Sequence, residues 1–284
     1  MTNVASVPPR IDAHHHVWRL DRGDYGWLTP AQGAIYRDFT LADLKPLLTS
    51  AGVEATILVQ AAPTRAETDF LLQVAEASRG VVRGVVGWVD LAAHDAIPVL
   101  GQLAGKPLLK SIRPMLQDLP DPAWILRENV VHALRALPPL RLRFDALVKP
   151  AQLPALLGVI ERIPELDVVI DHGAKPPIAV RGWQPWADLI AAAARNSRVH
   201  CKLSGLATEA GADWRPDTLR RYVDHLLACF GPGRLLWGSD WPVVERAGGY
   251  QRWVAATDVL LSGLSAGDRE AILGGNAWRF YDLD

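Results

Sequence analysis

Eight times along this chain a short apolar run rich in strand-forming residues is followed by a stretch of helical period, and that repetition constrains the fold more than any single residue does. The strand-like runs are 11–16, 55–60, 82–90, 108–113, 140–148, 168–172, 199–203 and 235–240, and helices are predicted near 41–51, 66–78, 96–103, 122–137, 152–163, 185–196, 216–230 and 250–261. Thr64 and Glu67 stand in capping-box spacing before the second helix, and Pro122, Pro185 and Pro216 sit where a first helical turn tolerates proline. Strands that alternate with helices pair in parallel beneath a helical layer, and several runs are apolar throughout, as strands buried on both faces are. Eight such units in 284 residues predict a (β/α)8 barrel, a TIM-like α/β fold, as one domain over 1–284. Neither G-x-G-x-x-G after the first strand nor G-x-x-x-x-G-K-[ST] is present, so the phosphate cradles of open nucleotide-binding sheets are missing.

Charge narrows the partners. The net charge is −1 with both signs dispersed, which gives no electrostatic footprint for nucleic acid or an anionic membrane and points to a small molecule. Cys201 and Cys229 are too few for a disulfide framework, the N-terminal residues lack a basic-then-apolar leader, and no run of about 18 apolar residues occurs. A reducing, cytoplasmic setting is the expectation, and nothing points to a particular oligomeric state.

A barrel of this kind places chemistry at the C-terminal ends of its strands and on the loops that follow. Polar residues collect there: His14 and His16 on the first strand, then Gln60, Asp90, Arg113, Asp145, His172, Lys202 and Asp240 on the second to eighth. In an extended chain residues two apart share a face, so His14 and His16 converge while His15 turns away. A triple histidine near a terminus is often a tag remnant. This one lies in an apolar frame of Ile11, Ala13, Val17 and Trp18, as a built strand does. Singly, each polar residue could cap a turn or satisfy a core contact; together they read as a site.

The segments D-A-H-H-H (from Asp12), V-I-D-H-G-A-K-P (from Val169), K-L-S-G-L (from Lys202), G-S-D-W-P (from Gly238) and L-G-G-N-A (273–277) resemble the amidohydrolase superfamily. V-Q-A-A-P-T-R-A-E-T (59–68) and G-V-V-G-W-V-D-L (84–91) are similar to its sugar-acid lactonases. By that resemblance His14, His16, His172 and Asp240 would form a possible single metal site, for zinc, with no metal required for activity. Arg113 would hold the substrate. The chain departs from two-metal members at the fifth strand, where Phe144 and Asp145 stand in place of a histidine. Lys110 turns outward by alternation if Arg113 faces the lumen, which argues against a carbamylated bridge.

Lactone hydrolysis needs a base for water, positive or hydrogen-bonding groups for the oxyanion, and a proton for the leaving alkoxide. The expected roles are Asp240 as base, with Arg113 and His172 polarising the carbonyl. Trp27 and Trp214, on long loops of a chain with eleven tryptophans, join Gln60, Asp90, Asp145 and Lys202 as expected substrate contacts. Few cations besides Arg113 and Lys202 stand at strand ends, so a neutral sugar lactone is expected. Two other readings stay open: a metal-dependent decarboxylase or amide hydrolase on the same fold, and a binding protein without catalysis.

Overall fold

The computed structural model describes residues 9–283. Eight strands, β1 (Ile11–His15), β2 (Ala55–Val59), β3 (Val82–Gly87), β4 (Leu109–Ile112), β5 (Arg143–Ala146), β6 (Val168–Ile170), β7 (Val199–Leu203) and β8 (Leu235–Trp237), form one parallel sheet in sequential order. The sheet closes where the last strand returns to the first: His16 N–H donates to Trp241 O at 2.7 Å, and Asp240 N–H donates to His14 O at 2.8 Å. Asp12 Oδ1 fastens the same seam by accepting from Ser239 N–H at 2.8 Å and His14 N–H at 3.2 Å.

The helices are α1 (Leu41–Ala51), α2 (Arg65–Ala77), α3 (Ala96–Ala104), α4 (Glu128–Leu134), α5 (Leu153–Arg162), α6 (Trp186–Ala194), α7 (Leu206–Glu209), α8 (Pro216–Phe230), α9 (Tyr250–Leu260), α10 (Ala266–Glu270) and α11 (Asn276–Tyr281). The apolar stripes of the long helices bury against the outer face of the barrel, while a second cluster fills the lumen below the site with Ile11, Ile57, Val86, Val169 and Leu236. Phe280 and Tyr281 of α11 belong to that cluster. This C-terminal segment was not anticipated, because 266–281 lacks a long amphipathic period. It is held by Asn276, whose side-chain amide donates to Pro232 O and Leu235 O at 2.7 Å each.

Three local expectations are corrected. The helix predicted over 122–137 is a short turn, Trp124–Leu126, followed by α4, since Arg127 adopts extended backbone (ψ 137°) between them. The capping box of α2 is half formed. Thr64 accepts from Glu67 N–H at 3.0 Å, but the Glu67 carboxylate accepts instead from Ala61 and Ala62 N–H at 3.0 and 2.5 Å. Burial pushes that carboxyl up to about 7 even with these donors. Finally, β6 and β8 stop short of His172 and Asp240. Both residues have left-handed backbone (φ 54° and 59°), which leaves the extended path and aims their side chains across the barrel mouth. Such conformations cost energy for a residue with a Cβ and are characteristic of functional positions.

Candidate active site

The register of β1 against β2 shifts between Asp12 and His15. A bulge of this kind re-aims side chains. Here Ile11 and Ala13 join the lumen cluster, His14 and His16 turn toward the mouth, and His15 packs outward with Nε2 2.9 Å from Thr56 Oγ1. The Nε2 atoms of His16, His14 and His172 stand 3.5, 3.8 and 3.8 Å from a single atom, Asp240 Oδ1. All four residues are buried.

Each imidazole is oriented from behind. His16 Nδ1–H donates to Val59 O at 2.8 Å, which fixes the ring with Nε2 facing the carboxylate. His172 Nδ1 is 2.8 Å from Ser204 Oγ, and His14 Nδ1 lies 3.1 Å from Lys202 Nζ and 3.3 Å from Asp171 Oδ1. Two glycines make this packing possible. A Cβ on Gly205 would fall 2.5 Å from His172 Nδ1, and one on Gly238 would fall 2.7 Å from His14 Cβ. Burial holds the His172 imidazolium down to about 4, and burial with the Lys202 charge keeps His14 well below its ordinary value. Burial alone would raise the Asp240 carboxyl. The facing imidazoles of His172, His16 and His14 outweigh it and hold the group below the usual carboxylate range, hence ionised.

Beneath this layer lies a second one. Lys202 Nζ reaches Asp145 Oδ2 at 2.5 Å and Asp171 Oδ1 at 3.1 Å, while Ser111 and Tyr281 hydroxyls donate to Asp145 at 2.6 and 2.8 Å. Arg113 Nη1 donates to Asp171 Oδ2 at 3.2 Å and lies 3.5 Å from His14 Nε2; its Nη2 donates to the Gln60 carbonyl, and Gln60 Nε2 returns a bond to Arg113 O at 2.6 Å. Asp171 is thus the junction of Lys202, His14 and Arg113, whose contacts hold it well below the usual carboxylate range against its burial. Sequence reasoning passed over Asp171 and Ser204. Their one signal was adjacency to His172 in D-H-G and to Lys202 in K-L-S-G.

Above the layer opens a cavity of about 240 Å³ lined by His16, Arg113, His172 and Asp240, with Trp27, Gln32, Ala61, Met115, Gln117, Asp118, Lys175 and Arg246 among its walls. Trp27 lines this cavity, its indole N–H anchored on Ala61 O at 2.7 Å. The other expected contacts move. Asp145 and Lys202 are fully buried below the site, Gln60 serves Arg113, and Asp90 lies in a neighbouring cavity. Trp214 belongs to the core: 1% exposed, it donates to Ala247 O at 2.7 Å and packs against Trp253. Its loop folds back under α9 instead of over the mouth, which the sequence did not reveal. Trp214→Phe removes that bond and leaves a void, so it is expected to destabilise by about 1–3 kcal/mol while KM is unchanged, checked by thermal melting beside steady-state kinetics. The expectation of few cations is also corrected, since Lys175 and Arg246 line the rim. They do not make it strongly positive, because Glu209 pairs with Lys175 at 3.1 Å and Asp118 faces the same space.

Among the described residues, one group has metal-binding geometry: single donor atoms of His14, His172 and Asp240 lie within 4.8 Å of one another, and His16 is outside this group. Two imidazoles and a carboxylate suit zinc, so the residues fit one divalent ion.

A histidine and aspartate cluster at the C-terminal mouth of a (β/α)8 barrel defines an amidohydrolase arrangement, and the chain belongs to that family. The family model described as Amidohydrolase matches residues 11–283. The chain is 46% identical over 281 residues to an L-fucono-1,5-lactonase of Burkholderia ambifaria, covering 97% of this chain and 96% of that one. It is 34% identical to an L-fucono-1,5-lactonase of Burkholderia multivorans, with 96% of each covered. The crystal structure of an amidohydrolase from Burkholderia multivorans with bound zinc superposes with a TM-score of 0.90 at 35% identity, covering 97% of this chain and all of that one.

Proposed function

We propose that the protein hydrolyses a sugar-acid lactone, an aldonolactone such as L-fucono-1,5-lactone, to the free acid. The observation that carries this reading is Asp240, ionised among three imidazoles at the floor of a cavity sized for one sugar ring, with Arg113 on its wall. The two lactonase relatives support the substrate class. Asp240 takes a proton from water as the oxygen adds to the lactone carbonyl. Arg113, whose buried Nε has no protein acceptor, and His172 face the carbonyl oxygen and stabilise the charge that gathers there. The bond from carbonyl carbon to ring oxygen then breaks, and Asp240 returns its proton to the departing alkoxide. A carboxylate held at low pKa is a weak base, yet sufficient here, because a lactone is a far better electrophile than an amide.

His14, His172 and Asp240 would hold a single divalent ion, which when bound supplies Lewis-acid polarisation and a more acidic water. The reading does not require it, since Arg113 already supplies fixed positive charge. The preferred substrate is neutral, recognised through hydroxyl hydrogen bonds, and no nucleic acid or membrane partner is invoked. No helix among the described residues is long and apolar enough to cross a membrane, and we place the enzyme in the cytoplasm.

The test is acid release from a panel of sugar 1,4- and 1,5-lactones. Turnover of an aldonolactone is expected, fastest for a 1,5-lactone. Turnover of an aromatic acid or an amide, with no lactone opened, would favour the decarboxylase or amide hydrolase reading.

A further inference from the structure

Beside the catalytic cavity lies a larger one of about 690 Å³, walled by Trp27, Trp88, Trp124, Asp24, Asp90 and Asp118 together with small and aliphatic residues. Trp27, Met115 and Asp118 line both, so the two spaces meet along that edge. We propose that this second cavity is a glycosyl subsite, and that the enzyme accepts aldonolactones carrying an uncharged second sugar ring. The proposal rests on the lactonase reading.

The lining argues for a sugar. Trp27, Trp88 and Trp124 are only partly buried and line the space, and an indole face suits the C–H face of a pyranose. The carboxylates supply acceptors for hydroxyl groups. Asp24 Oδ2 is engaged by Arg22 and Thr64 at 2.8 and 3.0 Å, while Asp24 Oδ1 is buried with no partner. Asp90 Oδ1 accepts from Ala92 N–H at 3.0 Å, and no bond to the protein takes Asp90 Oδ2. A buried acceptor without a donor is costly, and a ligand hydroxyl relieves that cost. No lysine or arginine lines this space among the described residues, which disfavours a carboxylate or phosphate in it.

Size points the same way. Pockets for ligands of drug size span roughly 300–1,000 Å³. The catalytic space of about 240 Å³ is filled by one lactone ring, and the adjoining volume exceeds what a monosaccharide uses. Reaction at the lactone is unchanged: water adds to the carbonyl, the ring C–O bond breaks, and the glycosidic bond stays intact.

The experiment compares an unsubstituted aldono-1,5-lactone with a β-galactosyl-substituted aldono-1,5-lactone, with uncatalysed opening subtracted. Wild-type enzyme is expected to open both. Trp124→Ala and, as a second variant, Trp88→Ala lie outside the catalytic cavity. Each is expected to raise KM for the galactosyl lactone by roughly tenfold while leaving kcat/KM for the unsubstituted lactone within about twofold. Failure to open the galactosyl lactone while the unsubstituted one turns over would overturn the subsite alone. So would equal losses on both substrates in both variants. If neither lactone opens, the lactonase reading falls and the subsite with it.

Discussion

Asp240→Asn is expected to lower kcat for lactone hydrolysis by roughly 10²–10⁴-fold, the range over which general acid–base catalysis acts. The amide keeps the shape of the carboxylate, so the left-handed turn and the hydrogen bond from residue 240 N–H to His14 O persist. What is lost is the proton acceptor at the one point where His14, His16 and His172 converge, 3.5–3.8 Å away. KM should change little, because the substrate is held by the walls of the cavity. A matched far-ultraviolet circular dichroism spectrum and melting temperature would confirm that the fold survives. A variant retaining half the wild-type kcat would remove Asp240 from the chemistry.

The second large effect concerns stability. Lys202 is fully buried and joins Asp145, Asp171 and His14. Lys202→Met leaves two carboxylates in the barrel interior without their shared cation. Removing one partner of a buried ion pair costs about 3–5 kcal/mol, so unfolding should shift by that amount at pH 7. The pH dependence carries a distinct sign. Burial raises the Asp145 carboxyl even with Lys202 beside it. Without the ammonium its folded pKa rises further above the unfolded value. A raised carboxyl adds stability as it protonates and loses it as pH rises through the folded pKa. The variant is therefore expected to recover part of its deficit as pH falls from 7 toward 5, which denaturant titrations at both pH values would detect. A pH-independent deficit would mean that packing, not charge, is what Lys202 supplies.

Much of this architecture is legible in the chain because parallel strands buried on both faces write continuous apolar runs, and their helices write a clear period. The unit order β1 to β8 and seven of the expected helices follow from those two patterns, with ends moved by a few residues. Less legible are features set by tertiary contacts. The β1 register shift that turns His14 and His16 inward, and the left-handed turns at His172 and Asp240, depend on cross-strand bonds and not on local propensity. The plug formed by 266–281 is fixed by Asn276 and the barrel floor.

The candidate site divides in the same manner. Residues of distinctive chemistry at strand ends, His14, His16, Arg113, His172 and Asp240, do meet in one place. Depth, however, is invisible in sequence. Asp145 and Lys202 occupy strand positions like those of surface-facing groups yet lie a layer below, neutralising each other. Trp214 sits on a long loop in sequence and in the core in space. Lys175 and Arg246 were overlooked because they stand beyond the strand ends, on loops whose course only packing determines.

The central claim is that Asp240 and the fixed charges around it open the lactone without an essential metal. Its most direct test is the lactonase rate of metal-stripped protein, with residual zinc quantified, measured beside Asp240→Asn. Stripped enzyme is expected to keep most of its kcat while Asp240→Asn loses it. Full inactivation on stripping, restored in proportion to one equivalent of a divalent ion, would contradict it and make Asp240 a metal ligand first.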